Sequence, residues 1–140
     1  MNWKDFTKRY GTSVTSDRQL IEWAHEIGIP HFSCIMRDQI KDLNKHKDHN
    51  IIVNLQTEAE RGSHWEALYK KGDTAYYFSS YALPPLKEVK VFTSNCKKRY
   101  HNTHQLQNTS QEYCGQMTLY VLYQLSRGNS FEDIILSLIK

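Results

Sequence analysis

Hydrophobic and polar positions divide the chain into segments of two periodicities. Leu20, Ile21, Ala24 and Ile27 recur at helical spacing behind Ser16-Asp17, and Gly28 with Pro30 marks the stop. Phe32 to Met36 is a short apolar run, predicted to be extended, and a polar loop around Asn44 to Asn50 follows it. Ile51-Ile52-Val53-Asn54-Leu55 is β-branched and reads as a buried strand. Trp65 to Tyr69 and Thr74 to Phe78 flank Lys70-Lys71-Gly72-Asp73, a hairpin signal that sets His64 at the mouth of one strand and Ser79 at the exit of the other. Pro84-Pro85 forces a loop. Leu86 to Phe92 carries both helix and strand features, the polar stretch to Thr103 is predicted as loop, and His104 to Gln107 as a short strand. The longest helix is predicted from about Gln111 to Ser126, with Met117, Tyr120, Val121 and Leu125 on its buried face and Arg127-Gly128 as its stop. Ser130-x-x-Asp133 then opens a last helix carrying Phe131, Ile134, Ile135, Leu138 and Ile139. The predicted fold class is α+β, a small antiparallel sheet packed on a central helix with Cys114 in its first turn.

Composition narrows this little further. The 140 residues are expected to form a single domain over 1–140, with 39% hydrophobic and 24% charged positions, as in ordinary globular proteins. No apolar run approaches the roughly 20 residues needed to span a bilayer. Met1-Asn2-Trp3-Lys4-Asp5 lacks the apolar stretch of a signal peptide, so an intracellular protein without a membrane partner is expected. Cys34, Cys96 and Cys114 are odd in number and widely spaced, which argues against a disulfide framework. Cys96 with His101 and His104 fits no zinc spacing, and no metal is expected. The net charge of +3 is mild. Lys41, Lys45 and Lys47, and more compactly Lys97-Lys98-Arg99, read as solvated loops or as contacts to a nucleic-acid backbone, which would bind with a steep salt dependence.

The chemistry lies in three residues and their order. A histidine takes a thiol's proton, the thiolate attacks a carbonyl, and a glutamine amide stabilises the oxyanion; His64, Gln107 and Cys114 supply these parts in the order His…Gln…Cys. A thiol in the first turn of a helix meets unpaired N–H groups and the positive end of the dipole, which favour thiolate. Gly115 admits a close approach by another backbone or by substrate. Trp65 offers an aromatic wall for the imidazole, and Gly62-Ser63 a tight approach to the strand. The bland reading of each residue taken singly is a buried helix cysteine, a strand-end histidine and a polar loop glutamine.

Together, Phe32…Met36-Arg37-Asp38, Ile52-Val53-Asn54-Leu55, Gly62-Ser63-His64-Trp65, the run from Tyr77 to Pro85 and Gln107…Cys114-Gly115 resemble the adenovirus-type processing proteases (adenain) and their relatives in adenovirus-like and Polinton-like elements. There is a more distant similarity to SUMO-deconjugating proteases. The resemblance spans roughly Ile29 to Leu138 and implies His64 as general base, Cys114 as nucleophile and Gln107 as oxyanion donor. It further implies a cysteine endopeptidase that processes viral precursor proteins, monomeric, in the host nucleus or the virion. Two departures stand out. Ser79 occupies the position where the family carries the carboxylate that orients the histidine, and Ala82 replaces the usual glycine, suggesting a somewhat different loop backbone. Cys96 aligns with the cysteine through which adenovirus enzymes hold an activating peptide, so a peptide or DNA activator is implied by resemblance although the sequence itself calls for no cofactor. The alternatives are a ubiquitin- or SUMO-type isopeptidase and, because of Ser79, a weakened protease-fold module that binds a protein tail or nucleic acid.

Overall fold

The structure, a computed structural model, describes residues 1–57, 59, 64–108 and 111–139; Gly62-Ser63, read above as the approach to His64, lies outside the described residues. Strands β1 (Phe32–Met36), β2 (His49–Asn54), β3 (Trp65–Lys71), β4 (Thr74–Phe78) and β5 (Lys98–His101) form one sheet in sequence order. The hairpin turns at Gly72-Asp73, with Lys71 paired to Thr74. The class is α+β as predicted, but the sheet is mixed rather than antiparallel. β2, β3 and β4 are antiparallel, whereas β1 runs parallel to β2 and β5 parallel to β4. Parallel neighbours need a crossover. A 3-10 turn over Arg37–Asp42 with its following loop supplies the first, and a short helix at Lys87–Phe92 the second.

β5 corrects the loop predicted there. Lys98, Arg99, Tyr100 and His101 are all exposed, so no apolar alternation announces the strand. Backbone pairing to β4 makes it, and its charged side chains suit an unpaired sheet edge. His104 to Gln107 is not a strand; the Leu106 and Gln107 N–H groups both donate to the Ser80 carbonyl, at 2.8 and 3.1 Å.

Helices α1 (Trp3–Tyr10), α2 (Asp17–Glu26), α4 (Cys114–Ser126) and α5 (Phe131–Ile139) cover one face of the sheet, while α3 (Lys87–Phe92) lies on the other. Along β3, Trp65 and Ala67 pack toward the four helices, and Leu68 joins Ile51, Val53, Tyr77 and Val89 on the α3 side. This is the period-two alternation of a strand buried on both faces. α4 starts at Cys114 rather than Gln111, and ten of its thirteen residues are buried. A helix apolar on nearly all sides belongs inside a protein, and α4 is the central helix predicted.

Candidate active site

The residues entering β3 and the start of α4 meet at the site. Cys114 is the first residue of α4, and the preceding Tyr113 provides no capping side chain. The first N–H groups of this helix are thus left to other acceptors. Burial alone would push the Cys114 thiol up, but four influences hold it below the ordinary thiol value. They are a hydrogen bond with His64, one from the Trp65 backbone N–H, the His64 charge, and a bond from the Gly115 N–H. His64 shows the complementary shift. Burial works to lower its pKa, yet hydrogen bonds to Cys114 and Glu66 and the charges of both raise it to about 9. Both shifts favour passing the thiol proton to the imidazole, toward the thiolate from which attack proceeds.

Behind the histidine stands Glu66, fully buried, with its Oε2 at 3.3 Å from His64 Nε2. The two buried atoms approach at ion-pair distance without the alignment of a hydrogen bond, and neither has a hydrogen-bond partner among the described residues. The Tyr77 hydroxyl donates to the other carboxylate oxygen, Oε1. The sequence reading missed Glu66, although two signals pointed to it. A residue two positions beyond His64 shares its side of the strand, and a glutamate within Trp65-Glu66-Ala67-Leu68-Tyr69 must be buried, which demands a partner.

Ser79 takes a different part from the one expected. Its hydroxyl accepts from the Leu83 N–H at 3.2 Å, and its backbone N–H and carbonyl are clamped by the Asn102 side chain at 2.9 and 2.7 Å. No hydrogen bond joins it to His64 among the described residues. The expected aromatic wall is also supplied differently. Trp65 turns into the helical core, its indole N–H donating to the Thr15 carbonyl at 3.4 Å, and the ring stacked on the imidazole is Tyr81, at 4.3 Å between centroids and 19°. Ala82, next to Tyr81, has φ 57°, the left-handed conformation natural to glycine. The alanine therefore keeps a glycine-type turn instead of reshaping it.

Gln107 is buried, and its amide donates to the Gln111 carbonyl at 2.6 Å, which fixes it beside the segment leading into Cys114 and leaves its second amide hydrogen uncommitted by that bond. Gly115 is approached by the chain itself. A Cβ there would lie 2.0 Å from the Thr15 hydroxyl oxygen, so the segment between α1 and α2 makes the close approach foreseen by another backbone. Gln116 holds the same segment through the Tyr10 and Ser13 carbonyls, at 3.4 and 2.9 Å. Cys96 is buried in the cluster on the α3 side, so a disulfide from it needs that corner to open. Lys97, Lys98 and Arg99 are exposed at and before the β5 edge, away from Cys114 along the sheet order. Among the described residues no group of three or more His, Cys, Asp or Glu converges on a metal position, and no helix is long and apolar enough to cross a membrane.

No protein-family profile matches the chain, and no curated protein matches it significantly. Solved structures do. Two crystal structures of the ASFV pS273R protease, one of the Se-Met protein, superpose with TM-scores of 0.62 and 0.61 at 15% identity over 91% of this chain. The matched region spans 66% and 65% of those chains, just under two thirds of their length. At this identity the likeness establishes a shared fold.

Proposed function

We propose that this protease fold is an active cysteine endopeptidase. The observation that carries the reading is the buried meeting of Cys114, at the start of α4, with His64 and the Glu66 carboxylate behind it, a setting that holds the thiol low and the imidazole high. The Cys114 thiolate attacks the scissile carbonyl carbon of a polypeptide. The oxyanion is received by the Cys114 backbone N–H at the uncapped start of α4 and by the remaining amide hydrogen of Gln107. His64, facing Glu66 through Nε2, uses Nδ1 toward sulfur and gives its proton to the leaving amine. Water activated by the now neutral imidazole then hydrolyses the thioester, restoring thiolate and imidazolium.

The substrates proposed are polypeptides, viral precursor proteins among them, which agrees with the resemblance carried by the His64, Gln107 and Cys114 spacing and with the fold shared with the ASFV protease. Action in the nucleus or the virion, and a DNA contact through Lys97, Lys98 and Arg99, belong to the same proposal. Incubation of the purified chain with a peptide library, read by mass spectrometry, tests the activity. Cleavage that disappears in Cys114→Ala supports it. A wild-type chain that leaves peptides intact, and whose Cys114 reacts with iodoacetamide no faster than a free thiol, refutes it. Including ubiquitin-like fusions in the panel separates endopeptidase from isopeptidase action.

A further inference from the structure

We infer that Glu66, seated across the hairpin from Ser79, is the residue that orients His64 and supports its positive charge, with Tyr77 fixing the carboxylate. This rests on the cysteine-peptidase proposal and deepens it. The register of the β3–β4 hairpin gives the reason. Lys71 pairs with Thr74, Leu68 with Tyr77 and Ala67 with Phe78. The ladder ends at that last pair, so Glu66 and Ser79 are the next residues on its two sides, and the turn closed by the Ala82 N–H on the Ser79 carbonyl brings Tyr81 onto the His64 ring. Residues directly opposite share a face with their Cβ atoms about 5 Å apart. A carboxylate can therefore serve the imidazole from either position of this pair, and here it stands on β3.

The details of the contact fit that role. Glu66 divides its oxygens, Oε1 to the Tyr77 hydroxyl and Oε2 to His64. Tyr77 is the diagonal neighbour of Glu66 across the ladder, within reach of an aromatic side chain. Burial, and the charge of and bond to Glu66, hold the phenol protonated, so Tyr77 is a permanent donor. The His64 Nε2 and Glu66 Oε2 atoms, both buried and without a hydrogen-bond partner among the described residues, lie 3.3 Å apart, and contacts of this kind tighten when substrate binds. Because the base lies just before β3 and the carboxylate on its second residue, they are held by one short stretch of backbone. Ser79 is thereby free to hold the loop that carries Tyr81, through the Leu83 N–H. The charged or titratable groups facing this centre are Cys114 from α4, Tyr81 from the loop after β4, Tyr77 from β4, and Arg37, whose charge reaches Tyr77.

The test compares wild type, Glu66→Gln, Tyr77→Phe and the double variant Glu66→Gln with Ser79→Asp. The readouts are the His64 titration by NMR, the pH profile of Cys114 alkylation by iodoacetamide, and peptide cleavage. In Glu66→Gln, the His64 titration should fall from about 9 toward its ordinary value, with kcat/KM lower by about tenfold or more and KM little changed. Tyr77→Phe should move both in the same direction by less. The double variant, which returns the carboxylate to the facing position, should recover part of the titration and of kcat. An unshifted His64 titration and unchanged kcat in Glu66→Gln overturn the inference while leaving a cysteine peptidase. Equal loss in the single and double variants, accompanied by a lowered melting temperature, also overturns it by making Glu66 a packing residue. A wild type without accelerated alkylation of Cys114 defeats the peptidase proposal itself, and this inference with it.

Discussion

At the scale of single residues, the site is governed by two proton affinities moved in opposite directions. The reactive state needs Cys114 deprotonated and His64 protonated. Activity should therefore rise as pH climbs through the lowered thiol pKa and fall as it climbs through about 9, where the imidazolium loses its proton. A kcat/KM profile measured from acid to alkaline pH checks both limbs, and an alkaline limb near the ordinary histidine value contradicts the geometry. Gly115 offers a second residue-scale prediction. Gly115→Ala places a methyl 2.0 Å from the Thr15 hydroxyl oxygen, an overpacking expected to cost about 1–3 kcal/mol, read as a drop in urea midpoint. The function of the glycine is then packing against the chain's own N-terminal segment.

At the scale of elements, the loop from Ser79 to Leu83 is held from outside itself. Asn102, just past β5, satisfies both backbone groups of Ser79, and the Leu106 and Gln107 N–H groups satisfy the Ser80 carbonyl. One clamp thus fixes Tyr81 over the imidazole and Gln107 beside α4. Asn102→Ala leaves the buried Ser79 N–H and carbonyl without that partner, at a cost of about 1–3 kcal/mol each at most. The expected result is a lower melting temperature together with reduced kcat, because the ring that stacks on His64 is no longer held. Full activity in a destabilised Asn102→Ala would show that the loop orders itself. Helices α2, α4 and α5, the hairpin and the buried strand β2 were readable because apolar spacing recorded them, whereas α1 went unforeseen and α3 lay in a stretch with both helix and strand features. β5 was not readable, since its four side chains are exposed and its existence depends on pairing with β4. Nor was the parallel direction of β1 and β5, which crossovers set and side chains do not encode.

Across the whole molecule, three cysteines experience three environments. Burial in β1, with the Asp17 charge nearby, pushes the Cys34 thiol up to about 12. Cys96 sits in the apolar cluster on the α3 side, and Cys114 lies at a helix start with its thiol held low. Iodoacetamide at neutral pH should therefore label Cys114 first by a wide margin, as mass spectrometry of the digested protein would show. Labelling of Cys34 at a comparable rate would contradict the burial described. The N-terminal segment also acts at this scale. Gln116 and Trp65 bind the Tyr10, Ser13 and Thr15 carbonyls, joining the chain's beginning to the residues flanking Cys114 and His64.

The sequence by itself determined the α+β class, the hairpin, the central helix and the order of histidine, glutamine and cysteine, because each is written in local spacing. Tertiary structure alone decided which carboxylate meets the histidine. Strand alternation and hairpin register turn Glu66 inward at the position facing Ser79, while Ser79 is drawn to Asn102 and Leu83. A missing acid at one place in the sequence is not a missing acid in the site, since neighbouring strands offer two positions for one charge.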